Sequence, residues 1–172
     1  GGYLYLSDLL STPSILKNVG RIIASAFKGQ KIDAVMTVAT KGVPLANAVA
    51  DVLNIPFVIV RRDLKITEGS TVSVNYVSGS SNRIEKMFLS KRSLKPNSRV
   101  LIVDDFLAVG NALRGLIQMV KESGAELVGC GTVIEKGYQH GGDEIRAQGV
   151  RVESLAIIES MDAKTGNIVF RN

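Results

Sequence analysis

Short, uninterrupted apolar runs recur along the chain, separated by stretches of a different period. Apolar residues without an intervening polar position are typical of strands that are buried on both faces. Five runs have this pattern, at residues 33–40, 56–62, 99–105, 125–135 and 151–158. A sixth, shorter run at 167–170 predicts a terminal strand.

The stretches between these runs have helical spacing. The first predicted helix, 11–27, has Ser11 or Thr12 as a cap and Pro13 near its first turn. Its apolar residues fall at helical spacing: Ile15, Val19, Ile22, Ile23 and Ala26. Further helices are predicted at 42–54, at 111–124, where Gly124 closes the helix, and at 143–149. Buried strands that alternate with helices indicate an α/β fold, a parallel sheet flanked by helices.

Residues 71–77 alternate between apolar and polar positions, which is typical of a half-exposed strand. The following stretch, 83–94, could pair with it as a hairpin. Six basic residues lie between Arg83 and Arg99 against Glu85 alone, which is enough to account for the whole net charge of +5. This stretch could meet phosphates, but a solvated hairpin with long side chains explains the charge at least as well.

Composition indicates one soluble globular domain over residues 1–172, because 45% of the residues are hydrophobic and 22% are charged. No apolar run approaches the roughly 20 residues of a membrane helix, so no membrane partner is expected. The lone Cys130 excludes a disulfide framework, fits a cytoplasmic location and is expected in the core. The single His140 cannot form a metal cluster alone and is expected to be solvated.

The stretch "VLIVDDFLAVGNALRG", residues 100–115, carries the most specific chemistry. Asp104 and Asp105 end a buried strand, and a turn of small residues then leads into a helix. The free N–H groups at the start of a helix form an anion site that suits a phosphate, and carboxylates accept hydrogen bonds from a vicinal diol. A ligand with a ribose diol and a nearby 5-phosphate satisfies both. The alternative is a strand end with ordinary surface acids.

A second polar turn follows the first strand, in "TVATKGVPLA". Thr40, Lys41 and Gly42 offer backbone amides and a cation, which favours a second phosphate. Arg61, Arg62 and Lys65, after the next strand, add positive charge. Two phosphate loops at different strand ends suit a ligand with phosphates at both ends, although a basic surface strand end would give the same pattern.

An apolar strand, two acids and a small-residue loop together resemble the signature of type I phosphoribosyltransferases. The resemblance implies that Asp104 and Asp105 bind the ribose hydroxyls of 5-phosphoribosyl 1-diphosphate (PRPP). It implies that residues 40–42 bind the diphosphate with Mg²⁺, which PRPP carries without direct protein ligands. It also implies a flexible hairpin arm, a small C-terminal hood and a 5-phosphate loop formed by Ala108, Val109, Gly110, Asn111 and Ala112.

The loop departs from the usual family motif. The motif has Thr and Gly where this chain has Val109 and Asn111, and a hydroxyl residue where it has Ala112. Each lost side-chain hydrogen bond would weaken PRPP binding by roughly 0.5–1.5 kcal/mol. Xanthine phosphoribosyltransferases also lack threonines in this loop, so the departure does not exclude PRPP.

Different parts of the chain resemble two branches of the family. Residues 1–106, with "TEGSTVSVNYVSGSS", resemble the effector domain of purine operon repressors, and residues 104–172, with "EKGYQ", are similar to xanthine phosphoribosyltransferases. The first resemblance implies a DNA-binding winged-helix domain that this chain does not include. Both imply a homodimer. The second implies that Lys136 contacts a purine base; an ordinary charged strand end at Glu135 and Lys136 is the alternative.

Two functions follow from these patterns. The first is a regulatory module of a purine operon repressor that binds PRPP, with residues 65–87 as an arm over the ligand and DNA as the partner of the full-length regulator. The second is an enzyme that forms a nucleoside 5′-monophosphate and diphosphate from PRPP and a purine, with Asp104, Asp105 and Lys136 as its site residues. A dinucleotide-binding domain is disfavoured, because no G-x-G-x-x-G follows the first strand.

Overall fold

The computed structural model of the chain describes residues 6–64, 67 and 69–172. Among these residues, a central sheet contains the strands β1 (Ala34–Val38), β2 (Phe57–Val60), β5 (Arg99–Leu107), β6 (Glu126–Lys136), β7 (Val152–Met161) and β8 (Ile168–Phe170). Their order across the sheet is β2-β1-β5-β6-β7-β8. All neighbouring strands are parallel except β7 and β8, which are antiparallel.

In the described part of the chain, five α-helices connect or flank these strands. They are α1 (Ser7–Ser11), α2 (Pro13–Ala26), α3 (Val43–Leu53), α4 (Asn111–Glu122) and α5 (Gly141–Ala147), with a 3-10 turn at Gly137–Gln139 before α5. The two faces of the sheet bury separate cores. Val35 and Leu101 pack with α2 and α3 on one face, whereas Met36 and Ile102 pack with α4 on the other. The predicted α/β class, a parallel sheet covered on both faces, is therefore confirmed.

A separate antiparallel hairpin formed by β3 (Thr71–Val77) and β4 (Ile84–Ser90) covers part of the α4 face. Val74 and Met87 of the hairpin are buried in the same core as Leu116 of α4. The hairpin joins the main sheet through reciprocal backbone hydrogen bonds between Arg61 and Phe88, at 2.8 and 2.7 Å. Its base is therefore anchored, and the flexibility expected of its tip stays a prediction.

The first helix differs from its prediction. A separate helix, α1, precedes α2, and Thr12 lies at the N-cap position of α2 without capping it. The Thr12 hydroxyl donates instead to the Asp8 carbonyl at 2.6 Å. Ile15 and Ile22, expected on the buried face, are 41% and 54% exposed, since they lie seven residues apart along the flank of the buried strip.

Strand β5 extends two residues beyond its predicted end. Phe106 and Leu107 remain paired with Ile134 and Glu135 because β6 is long enough to continue the ladder. On its other edge, pairing with β1 stops at Ile102. The acid pair therefore lies within a strand, at the position where one of its two neighbours has ended.

A crevice opens between β1 and β5 beyond this last pair. The chain leaves β1 through α3 toward β2, and leaves β5 through α4 toward β6 on the opposite side. Such a reversal of strand order is the usual ligand site of an open parallel sheet. The fold thus positions the predicted site residues at the carboxyl ends of β1, β2 and β5.

Candidate functional site

The crevice holds a cavity of about 510 Å³. Seven of the predicted site residues lie on its walls: Thr40, Lys41, Gly42, Arg62, Asp104, Asp105 and Ala112. An adjoining cavity of about 350 Å³ is lined by residues 108–112 and by Lys136. Asp104, Phe106, Gly79 and Ala112 line both cavities, so the two form one continuous site. Lys65 lies outside the described residues.

Asp104 occupies the centre of this site. Burial raises its pKa well above the usual value, and the neighbouring Asp105 carboxylate adds to the increase. The Asp105 backbone N–H donates to Asp104 Oδ1 at 2.9 Å, which opposes the shift. Asp104 is therefore costly to keep ionised without a ligand, and hydroxyl donors or a cation would stabilise its carboxylate.

The small-residue loop after β5 ends at Gly110, whose φ of 90° places it in the left-handed region. No side chain caps α4 there. Among the described residues, the N–H groups of residues 110–113 have no hydrogen-bond acceptor, as expected of a first helical turn. Because Val109 and Ala112 carry no hydroxyl, these backbone N–H groups and the Asn111 side-chain amide are the hydrogen-bond donors that the loop offers to its cavity.

The turn after β1 makes an unusually close approach at Gly42. A Cβ atom there would overlap Thr37 Oγ1 and lie 3.4 Å from Asp104 Oδ1. Thr37 is fully buried, and its hydroxyl has no hydrogen-bond partner among the residues that the structure describes. The peptide bond between Ala39 and Thr40 is cis, and both Thr40 and Lys41 are exposed to the cavity. The turn can thus lie close to Asp104 because Gly42 has no side chain.

Residues of the hairpin also line the first cavity, and sequence reasoning did not single them out. Tyr76, Ser78, Gly79 and Ser80 face the acid pair across the crevice. The Tyr76 hydroxyl donates to Glu85 Oε2 at 3.0 Å, and burial raises the pKa of Tyr76. These four residues lie within the arm predicted at residues 65–87, where the sequence signal for these positions is a run of small polar residues between two alternating strands. The hairpin is therefore positioned to contribute to ligand contacts, as its predicted role as an arm requires.

Lys136 lies beside the small-residue loop, with its Nζ 5.0 Å from the centroid of the Phe106 ring. Its neighbour Glu135 lies near the end of β6, as the alternative of a charged strand end expected, but its side chain is buried. Glu135 is completely buried and forms a bidentate ion pair with Arg146 of α5, at 2.9 and 2.7 Å, and the Ser154 hydroxyl donates to it. Glu135 therefore anchors α5, whereas Lys136 faces the cavity.

The remaining candidate residues lie apart from the site. Cys130 is buried in the core, where burial raises its pKa to about 12, and His140 is exposed. Within the described ranges, no three His, Cys, Asp or Glu side chains lie close enough to hold a metal ion. No helix in the described part of the chain is long and apolar enough to cross a membrane.

The comparisons with known proteins agree with this geometry. The model of the phosphoribosyl transferase domain matches residues 6–165. The chain therefore belongs to the phosphoribosyltransferase family. The adenine phosphoribosyltransferase of Giardia lamblia, solved with 9-deazaadenine, has a similar structure, with a TM-score of 0.81 and 26% identity over 90% of this chain and 85% of that chain.

Relatives from both branches match the sequence. The probable purine biosynthesis transcriptional regulator of Streptococcus pneumoniae is 65% identical over 95% of this chain and 58% of the relative. The purine biosynthesis transcriptional repressor of Bacillus subtilis is 57% identical over 78% of this chain and 47% of the relative. The xanthine phosphoribosyltransferase of Lachnoclostridium phytofermentans is 41% identical over 91% of this chain and 81% of the relative.

Both predicted resemblances are thus confirmed, and each extends further than the residues first assigned to it. The Streptococcus pneumoniae regulator and the xanthine enzyme both match more than nine-tenths of the chain, across the expected boundary near residue 104. The chain spans about half to three-fifths of the length of the regulators that it matches.

Proposed function

We propose that this chain is the PRPP-binding effector domain of a transcription regulator that controls purine biosynthesis genes. The observation that supports it most is the 65% identity to such a regulator over nearly the whole chain. The identity to the xanthine phosphoribosyltransferase of Lachnoclostridium phytofermentans is lower, at 41%. The crevice adds chemistry that suits PRPP: an acid pair for a diol, flanked by two turns that present backbone donors.

In this proposal Asp104 and Asp105 accept hydrogen bonds from the two ribose hydroxyls. The N–H groups of residues 110–113 bind the 5-phosphate. The exposed turn at residues 40–42, with Lys41, binds the diphosphate, and Arg62 adds positive charge at the same wall. We include Lys65 among the PRPP-binding residues on the basis of the sequence alone.

Mg²⁺ enters with the ligand, since phosphoribosyltransferases generally use it together with PRPP. The donor set fits that role. Mg²⁺ keeps several waters and substrate phosphates as ligands, so it needs no protein cluster of its own, and Asp104 and Asp105 lie beside the diphosphate turn. The ion would neutralise the diphosphate charge in the crevice.

The assembly and the partners of the whole protein are part of the proposal. A homodimer, contact with operator DNA and a cytoplasmic location are expected of a full-length regulator of this type. The basic side chains between Arg83 and Arg99 are largely exposed, which allows them to face DNA. A purine base or nucleotide would then act as a second ligand at Lys136.

Lys136 also supports a second candidate, a xanthine-type phosphoribosyltransferase. It lines the loop cavity next to Phe106, where a purine would lie beside the ribose, and the chain covers 81% of a xanthine enzyme. In that reaction a purine nitrogen forms the bond to the anomeric carbon as the bond to diphosphate breaks. Positioning and charge stabilisation suffice for such a step, so no side-chain nucleophile is required.

Calorimetry with Mg-PRPP and an assay of diphosphate release separate the two candidates. The regulator proposal expects PRPP binding and no diphosphate release with xanthine, guanine, hypoxanthine or adenine. Robust turnover with any of these bases would favour the enzyme. Absence of PRPP binding would contradict both.

Lys136→Ala sharpens this distinction. If the chain is an enzyme, the substitution removes a charge-assisted hydrogen bond to an exocyclic oxygen and should lower turnover by about ten- to a hundred-fold. If it is a regulator, wild type has no turnover to lose. PRPP affinity should be unchanged in Lys136→Ala in both cases, because the proposed ribose and 5-phosphate contacts come from residues 104–113. Lys121→Ala, an exposed lysine near the end of α4, is the matched control for the lost charge.

A further inference from the structure

Arg114 makes two contacts that join the small-residue loop to α5. Its Nη1 donates to the Val109 carbonyl at 2.8 Å, and its Nη2 donates to Glu144 Oε2 at 2.7 Å. The guanidinium lies over Gly110, whose Cβ, if present, would be 3.3 Å from Nη1. Arg114 therefore contacts the loop from its outer side and does not line either cavity.

The contact with the Val109 carbonyl fixes a peptide plane. In a trans peptide the carbonyl and the following N–H point in opposite directions, so holding the Val109 carbonyl toward Arg114 directs the Gly110 N–H away from it. Val109 and Gly110 line the loop cavity, and the Gly110 N–H has no acceptor among the described residues. The bond thus directs the Gly110 N–H to the side of the loop opposite Arg114, and Arg114 itself does not line the cavity.

The side chains of the loop itself do little to hold this orientation. The Val109 side chain is 49% exposed, and Gly110 is in a left-handed conformation that leaves the backbone free to turn. The start of α5 packs closely behind the loop, since a Cβ on Gly141 would overlap the Ala108 and Val109 carbonyl oxygens. Arg114 and Glu144 complete this support from the side.

We propose that Arg114 is a positioning residue, which presents the Gly110 N–H to the 5-phosphate in a loop that has no hydroxyl at positions 109 and 112. Glu144 holds the guanidinium in place. The inference rests on the proposed function, because it takes the anion to be the 5-phosphate of PRPP.

The test compares Arg114→Met, Glu144→Gln and the control Lys121→Met, which removes one charge from the same helix away from the loop. Inorganic phosphate is titrated into ¹⁵N-labelled protein while the Gly110 amide resonance is followed. Calorimetry then measures Mg-PRPP and Mg-diphosphate, which reports on the separate turn at residues 40–42.

Arg114→Met should shift the Gly110 resonance in the free protein and weaken phosphate and PRPP binding by about tenfold. Mg-diphosphate affinity should be unchanged in the same variant. Glu144→Gln should weaken phosphate and PRPP binding by about two- to three-fold, and Lys121→Met should resemble wild type.

Wild-type affinity for phosphate in Arg114→Met would overturn the inference. So would a loss of Mg-diphosphate affinity in Arg114→Met as large as its loss of phosphate affinity, or an equally large loss of phosphate affinity in Lys121→Met. If Arg114→Met fails to fold, an unchanged phosphate affinity in Glu144→Gln would do the same. If wild type binds phosphate but not PRPP, the proposed function fails while the phosphate comparison still decides the role of Arg114. If wild type binds neither, both are contradicted.

Discussion

Replacing Gly42 with alanine probes how the turn after β1 is held against the acid pair. Gly42 has ordinary right-handed helical angles, φ −73° and ψ −15°, so alanine adds no backbone strain. The added methyl group would instead overlap Thr37 Oγ1 and approach Asp104 Oδ1. Gly42→Ala therefore isolates a steric effect at the proposed diphosphate turn.

The expected cost follows from overpacking. Inserting a methyl group into a closely packed site costs about 1–3 kcal/mol, and the turn must move away from Thr37 to accept it. Thr37→Ala removes the overlapping hydroxyl, which makes no hydrogen bond that would be lost. The double variant should then recover most of the free energy of unfolding, with a coupling energy of about 0.5–3 kcal/mol.

Urea unfolding of wild type, both single variants and the double variant measures this coupling, and calorimetry with Mg-diphosphate measures its effect on the turn. Thr37→Val is the matched control, because it keeps an atom in the place of Oγ1 and should not rescue Gly42→Ala. Equal rescue by alanine and valine, or a Gly42→Ala variant as stable and as tight in binding as wild type, would refute the reasoning.

Three further predictions concern charge. Burial and Asp105 raise the pKa of Asp104 in the folded state, so the protein should lose stability as pH rises through that pKa. In urea titrations, Asp104→Asn should therefore have the larger free energy of unfolding at about pH 8. Its advantage over wild type should narrow toward about pH 4. Arg146→Met leaves Glu135 buried without its partner and should lower the free energy of unfolding by about 3–5 kcal/mol, whereas Glu153→Gln, in an exposed pair, should cost less than about 1 kcal/mol. The isolated chain should bind DNA weakly through residues 83–99, with an affinity that falls as salt increases in gel-shift titrations, and tight, sequence-selective, salt-insensitive binding would contradict this.

The fold could be predicted because its strands are buried on both faces. Uninterrupted apolar runs such as residues 99–105 have no polar face to present to solvent, which leaves a sheet covered by helices. The acid pair could be placed for the same reason, since it interrupts such a run before a helix. The extension of β5 to Leu107 could not, because it depends on the length of a neighbouring strand.

The support of the site also depends on contacts between distant residues. Arg146 and Glu135 are eleven positions apart and meet only because α5 folds back over β6. Arg114 and Glu144, thirty positions apart, meet behind the loop in the same way. Local periodicity carries no information on such pairs, so the burial of Glu135 against Arg146 could not be predicted from its position in the sequence.

Calorimetric titration of Mg-PRPP into wild type and into the double variant Asp104→Asn, Asp105→Asn tests the central claim most directly. An amide is neutral and offers one acceptor oxygen where the carboxylate offers two, so the double variant should lose measurable PRPP binding while it remains folded. The account predicts binding by wild type alone. PRPP affinity that is unchanged in the double variant would contradict it, and would place the ligand elsewhere on the molecule.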